Sequence, residues 1–128
     1  MTSGSVAVFE CVVPFGERLA APAHSHDAYE ETIYGLDGTL TWTVDGIRHP
    51  VGPGDALCIS RGAVHRFDND GDVAARCLCV LSPAAIGPAF FEKTAAVISA
   101  AKGGPPDRAQ LLAIMRRHGL TPAPPPPG

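Results

Sequence analysis

Two histidines separated by one serine are the first sign of chemistry in this sequence. His24 and His26 lie at positions i and i+2, and on an extended segment such residues point the same way, so both imidazoles face one side and lie close enough to bind one ion. Glu30 and Glu31 follow, and His65 opens a later predicted strand. Three neutral imidazoles and one carboxylate make a mixed nitrogen and oxygen site, which suits Mn, Fe, Co, Ni, Cu or Zn better than Ca or Mg.

The elements that must position these side chains are short strands separated by turns. Residues 39–44 alternate strictly, with Leu40 and Trp42 on one face, which predicts a half-buried strand. The Asp45-Gly46 pair follows directly and is a strong hairpin signal. Strands or extended segments are predicted at residues 6–13, 18–26, 32–36, 39–44, 47–51, 55–60, 64–67 and 73–81. Many short strands at this spacing indicate an antiparallel sandwich or barrel rather than a parallel α/β sheet.

The pattern becomes helical after Pro83. Pro88 suits the first residue of a helix, and residues 89–101 are rich in helix formers. Asp107 can cap a second helix, which Gly119 ends. One face of this second helix carries Leu111, Ile114, Met115 and His118. A positive charge on His118 would interact favourably with the negative end of the helix dipole.

The end of the chain has a different composition. Residues 121–128 contain five prolines in eight positions, which predicts an extended, flexible tail. A length of 128 residues suits one domain. We therefore predict a β region at residues 1–83, a helical extension of the same domain at residues 84–120 and a flexible proline-rich tail at residues 121–128.

The composition restricts the class of protein. The residues are 45% hydrophobic and 18% charged, which permits a packed core, and the net charge is −3. No run of Lys or Arg indicates a nucleic-acid partner, and no apolar stretch approaches the ~20 residues that cross a bilayer. Because no secretory signal is visible at the N-terminus, we expect a cytoplasmic protein. The four cysteines form no CxxC pair, so we expect reduced, buried thiols, with Cys77 and Cys79 on one strand face, rather than disulfides or a thiolate metal site.

The glycines around the candidate ligands resemble the two motifs of the cupin superfamily. The first motif is matched by His24, His26, Glu31 and Gly38. Its leading glycine would be Gly16, which lies two residues further from His24 than the family pattern has it. The second motif is matched by Gly54, Gly62, His65 and Asn69. Ser60 replaces the proline of that motif, and the resemblance covers about residues 16–82.

This resemblance implies a mainly β fold: a single antiparallel cupin β-barrel of the jelly-roll type, followed by the two helices. It also implies one divalent transition metal ion per chain, bound inside the barrel by His24, His26, Glu31 and His65. Glu30 is the alternative carboxylate because the family tolerates either spacing, but the six-residue gap to Gly38 favours Glu31. His49 and His118 lie outside both motifs and are not expected to be ligands. Small cupins usually pair through edge strands, so we expect a homodimer, with residues 6–13 as the candidate pairing strand.

The resemblance also extends to function. The stretch from Glu31 to Gly38 and the Pro-Ala-Phe-Phe-Glu segment at residues 88–92 look like small cupins of the quercetin-2,3-dioxygenase-like group. This implies a metal-dependent dioxygenase for a small enolic or phenolic, flavonol-like substrate, with Glu31 as catalytic base. A pocket lined by aromatic residues would suit such a ligand, and the candidates are Tyr34, Trp42 and Phe67. Two alternatives stay open: a non-catalytic small-molecule-binding protein, and a metal-dependent lyase or isomerase.

Overall fold

The computed structural model describes residues 4–16, 23–84 and 86–123 of the 128-residue chain. The strands are β1 (Ala7–Val13), β2 (His24–His26), β3 (Glu30–Asp37), β4 (Leu40–Val44), β5 (Ile47–Val51), β6 (Ala56–Ile59), β7 (His65–Asp68), β8 (Ala75–Ser82) and β9 (Leu120–Pro122), and the helices are α1 (Pro88–Ala100) and α2 (Arg108–Arg117). The strands pair antiparallel in one sheet of order β1-β8-β3-β6 and a second of order β5-β4-β7-β2-β9. This confirms the predicted mainly β jelly-roll fold with two C-terminal helices.

The two sheets pack face to face because their strands alternate between buried and exposed side chains. On β3, Ile33 is fully buried, whereas its neighbour Tyr34 is 45% exposed. Trp42 of β4 and Cys79 of β8 come from different sheets and pack in the same core. The exposure of Tyr34 corrects the expectation that it lines the pocket: successive residues of a strand point to opposite faces, and Tyr34 lies on the outer one.

Two glycine-containing sites allow the backbone geometry of the turns between strands. Asp45 and Gly46 have φ angles of 47° and 83°, the positive values that the predicted two-residue hairpin requires. Gly35 of β3 lies against the turn after β5, where an added Cβ would be 2.0 Å from the carbonyl oxygen of Gly52. The absence of a side chain at Gly35 permits this approach, and its N–H donates to the carbonyl of Asp55 at 2.9 Å.

The two helices pack against the sandwich and form a second apolar core with it. The side chain of Asp107 accepts the N–H of Gln110 at 3.2 Å, and Gly119 has a φ of 80°, so the predicted cap and stop of α2 are confirmed. The buried members of this core are Tyr29, Leu81, Ile86, Phe90, Val97, Leu111, Ile114, Met115 and Leu120. Because Tyr29 and Leu81 belong to the strand region, the helices share a core with it.

The C-terminal strand differs from the predicted tail. Thr121 and Pro122 belong to β9, which pairs with β2 so that Ser25 lies opposite Thr121. The preceding residue, Leu120, is 2% exposed and anchors β9 in the second core. Proline is tolerated here because β9 is an edge strand, which needs donors on one side only. Residues 124–128 of the predicted tail lie outside the described residues.

Another sheet edge concerns the predicted homodimer. β1 is the outermost strand of the four-stranded sheet, and Val8 and Val12 on it are 57% and 63% exposed. Pairing of two chains through this strand stays a prediction. Neither of the two described helices has the length and apolar composition that a membrane crossing demands.

Candidate metal centre

Three histidines meet on the five-stranded sheet because two neighbouring strands bring them together. His24 and His26 lie on the same side of β2, and His65 of β7 is the direct antiparallel partner of His24. The ring centroids are 5.3 Å apart for His24 and His26, 4.7 Å for His24 and His65, and 4.4 Å for His26 and His65. One nitrogen of each ring lies within 4.8 Å of the other two, so the cluster could hold a metal ion.

A carboxylate faces this cluster from the opposite sheet. Glu31 of β3 is 8% exposed, and its Oε2 lies 3.7 Å from Nε2 of His26 and 3.6 Å from Nε2 of His65. The adjacent Glu30 is on the other face of the strand, where its carboxylate lies 3.7 Å from the guanidinium of Arg61 in solvent. The two predicted carboxylate candidates therefore have different environments, and the structure brings Glu31, not Glu30, to the histidines.

The protonation states suit metal binding. Burial, helped by the neighbouring His65 and His24, lowers the pKa of His26 to about 2, so its imidazole is neutral near neutral pH. Nδ1 of His65 donates to the carbonyl of Ala63 at 3.0 Å, which leaves the lone pair on the Nε2 that faces Glu31. A carboxylate this deeply buried needs a countercharge, and a divalent cation at the cluster would supply one. The residues present therefore fit a metal ion.

The surroundings hold the histidine rings in place. Tyr29, which is fully buried, stacks on His26 with ring centroids 4.2 Å apart and planes 17° apart. The N–H of Gly62 donates to the carbonyl of His26 at 2.9 Å and so ties the loop before β7 to β2. Sequence reasoning gave Tyr29 no role, because an aromatic residue between motif positions has no spacing rule that marks it.

Asn69, the last position of the second motif, is structural. Its side-chain amide donates to the carbonyls of Val13 (3.0 Å), Pro14 (3.2 Å) and Val73 (2.9 Å), and its Oδ1 accepts the N–H of Gly71. Asn69 is 1% exposed. It thus fastens the end of β1 to the turn between β7 and β8, away from the histidines.

The histidines and Glu31 line a cavity of about 260 Å³. We call this group, His24, His26, Glu31 and His65, the histidine end. Trp42, which also belongs to the first core, and Phe67 line the same cavity. Another part of the wall comes from the C-terminal segment, and we call it the helical wall: Ile86, Phe90, Phe91, Thr94, Ile98, Met115 and Leu120. Sequence reasoning assigned none of these residues to the pocket.

A comparison with protein families decides the family to which this fold belongs. A family model described as the cupin domain matches residues 9–81. This chain belongs to the cupin family. The match ends within β8, so the helical wall lies beyond the part of the chain that the cupin model describes.

Several known proteins resemble part of the chain. Protein SchB of Streptomyces halstedii is 39% identical over 68% of this chain and 60% of its own length. Quercetin 2,3-dioxygenase of Bacillus subtilis is 32% identical over 70% of this chain and 26% of its own length. Polyketide synthase CurC of Streptomyces cyaneus is 38% identical over 59% of this chain and 47% of its own length. The chain thus spans between about a quarter and three fifths of the length of these relatives.

A solved structure supports the same fold. The protein TT1209 from Thermus thermophilus superposes with a TM-score of 0.59 at 23% identity, covering 65% of this chain and 77% of its own. At that identity the likeness concerns the fold alone.

Two cysteines of this cupin, Cys11 and Cys79, line the cavity without forming part of the cluster. Cys77 and Cys79 are buried with their sulfur atoms 3.8 Å apart, which confirms that they share one face of β8, and all four cysteines are free. The contact with Cys77 and burial raise the pKa of the Cys11 thiol, so Cys11 is a neutral thiol and a poor soft-metal ligand. Cys58 is exposed, so the prediction of buried thiols was wrong for it. It lies on the outer face of β6.

The two other histidines of the cupin chain are outside the cluster, as expected. His49 lies half-buried on β5, where it pairs with Trp42 of β4. His118 ends α2 and packs beside Phe90. Burial and the nearby Lys93 and Arg117 lower the pKa of His118, which opposes the expected charged histidine at the end of the helix.

Proposed function

We propose that this cupin is a metal-dependent dioxygenase acting on a small enolic or phenolic, flavonol-like substrate. The observation that carries the proposal is the histidine end itself: three imidazoles and a buried carboxylate that meet in the wall of an otherwise apolar cavity. Such a site combines a place for a cation with a place for an apolar ring system. The similarity to quercetin 2,3-dioxygenase supports this reaction class.

The proposed metal ligands are His24, His26, Glu31 and His65. A bound divalent transition metal ion would supply Lewis-acid polarisation and a template for an oxygen-bearing substrate. The donor set, three nitrogens and one oxygen, is compatible with Mn, Fe, Co, Ni, Cu or Zn, and availability rather than geometry would select among them.

Glu31 has a second proposed role as the catalytic base. Its buried carboxylate lies at the histidine end of the cavity, so an enol or phenol hydroxyl held there is within reach of a proton acceptor. Transfer of the hydroxyl proton to Glu31 leaves an oxyanion next to the cation site. The apolar walls exclude water around this charge, which strengthens its attraction to a cation.

A second candidate function uses the same residues without oxygen. The similarity to a protein named polyketide synthase CurC favours an enolisable substrate with several carbonyl groups. Proton removal by Glu31 and polarisation by the metal would then serve a lyase or isomerase reaction. Binding without catalysis is the remaining alternative, and both alternatives predict no oxygen consumption.

The test begins with the protein purified without added metal and analysed for its elements. The apoprotein is then loaded with each candidate ion, and oxygen uptake and substrate loss are followed with a panel of flavonols. If Glu31 is both ligand and base, Glu31→Gln should lower turnover per bound metal by at least ~10²-fold, because a general base contributes typically ~10²–10⁴-fold in rate. The affinity for a flavonol should fall far less.

Glu30→Gln is the matched control, since it removes the adjacent carboxylate, which lies in solvent beside Arg61. This variant should behave like the wild type. If Glu30→Gln instead loses turnover per bound metal, the ligand and base is Glu30 rather than Glu31. Full activity of Glu31→Gln at full metal loading would contradict the proposed mechanism, and substrate loss without oxygen uptake would favour the lyase or isomerase alternative.

A further inference from the structure

Helix α1 presents two different faces to the rest of the molecule. Phe90 and Val97 are buried in the second core, and Phe90 also lines the cavity. Phe91, Thr94 and Ile98, spaced at i, i+3 and i+7, line the cavity without belonging to that core. Phe91 and Ile98 are 41% and 40% exposed, although both are large and apolar. A helix face that leaves such side chains accessible at a cavity is suited to an apolar ligand rather than to core packing alone.

Among the described residues that line the cavity, Thr94 carries the only hydroxyl. Apart from the histidine end, the cavity-lining residues carry apolar side chains, thiols, the indole of Trp42 and the hydroxyl of Thr94. The Trp42 N–H is sealed within the wall, so it is not available to a ligand. Among the residues that the structure describes, none bonds to the Thr94 hydroxyl. This hydroxyl is therefore free to donate to or accept from a ligand.

We propose that Thr94 determines specificity by hydrogen-bonding a second polar group of the substrate, distinct from the one that meets the histidine end. This inference rests on the proposed function and narrows its substrate class. The ligand would have two ends: an oxygen pair that meets the histidine end, and a hydroxyl or carbonyl that reaches α1. Between them lies an apolar, ring-containing body in contact with Phe91 and Ile98. A ligand with the first end alone would bind without using Thr94.

Two probes separate these parts of the ligand. 3-Hydroxyflavone carries the chelating hydroxyl and carbonyl pair but no other hydroxyl, whereas quercetin carries the same pair and further hydroxyls on both outer ring systems. Their dissociation constants are measured by calorimetry without oxygen, with the full-length, metal-loaded protein. Thr94→Val keeps the shape of the side chain and removes the hydroxyl. It should weaken quercetin binding about 3- to 10-fold and change 3-hydroxyflavone binding less than about 2-fold.

The controls distinguish a hydrogen bond from a general effect. Thr94→Ser should retain most of the quercetin affinity, because it keeps the hydroxyl. Thr32→Val makes the same chemical change on the exposed outer face of β3 and should leave both constants unchanged. Equal weakening of both probes by Thr94→Val, or no weakening of either, would overturn the role of Thr94 while the proposed function stands. If the wild type binds neither probe when loaded with metal, the flavonol-like substrate class itself is wrong, and the role of Thr94 falls with it.

Discussion

The histidine end and the helical wall line one cavity, yet the chain builds them in different ways. The histidine end is held by backbone pairing: β2 and β7 put His24 opposite His65, and Glu31 comes from β3 in the facing sheet. The helical wall is held by side-chain packing of α1 and α2 in the second core. Only the first lies entirely within the segment that the cupin model matches.

The comparison teaches that ion binding and ligand selection can change separately in this chain. A substitution on the cavity face of α1 alters no strand pairing, so it leaves the geometry of the histidine end unchanged. The separation is incomplete, however, because β9 follows α2 and pairs with β2, the strand that carries two of the histidines. The C-terminal segment therefore also supports the histidine end.

The largest expected effect is the loss of the C-terminal segment. Deleting residues 109–128 removes Leu111, Ile114, Met115 and Leu120 from the second core. Truncation of a single buried Leu, Ile or Met to Ala costs ~2–5 kcal/mol, and four such losses are comparable with the whole ~5–15 kcal/mol stability of a typical domain. Thermal unfolding followed by circular dichroism should therefore show no cooperative transition. A transition close to that of the full chain would mean that the strand region folds without the helices.

A large effect confined to the histidine end is expected from His26→Ala. Losing one of the three imidazoles should weaken metal binding by more than the ~10–100-fold that changing an outer-shell partner costs. Elemental analysis of the purified variant measures the loss directly. His49→Ala, on β5 and outside the cluster, should keep the metal content of the wild type. Equal metal contents in the two variants would refute the proposed ligand set.

The smallest effect concerns the strand that joins the two regions. Deleting residues 121–128 removes Thr121 and Pro122 from β9 and with them the bond from the Thr121 hydroxyl to Asp27. Each lost hydrogen bond costs ~0.5–1.5 kcal/mol, so the melting temperature should fall by several degrees. Metal affinity should also decrease modestly, because β2 becomes an edge strand.

Deleting residues 124–128 alone is the control for this truncation and should change neither quantity. If deleting residues 121–128 also leaves the melting temperature and the metal affinity unchanged, the pairing of β9 with β2 contributes nothing to the histidine end.

The sequence by itself determined the strand region and the candidate ligands. Alternation with period two and turn residues such as Asp45-Gly46 are local signals, because a strand's faces and a hairpin's positive φ angles depend on adjacent residues. The motif spacing singled out His24, His26, Glu31 and His65, and the structure brings these four together. The choice of Glu31 over Glu30 followed from the same count, since one step along a strand reverses the face.

Only the tertiary structure decided what surrounds the histidine end. The stacking of Tyr29 on His26 and the pairing of β9 with β2 depend on how the folded elements pack, and no local sequence pattern marks them. The proline content of the C-terminus indicated a tail, but a buried Leu120 next to it anchored a strand. The sequence did not predict the cavity face of α1 either, because Phe91, Thr94 and Ile98 line one cavity only when the helix packs beside the sheets. Local chemistry sets which face of an element is apolar, whereas packing of distant elements sets what that face meets.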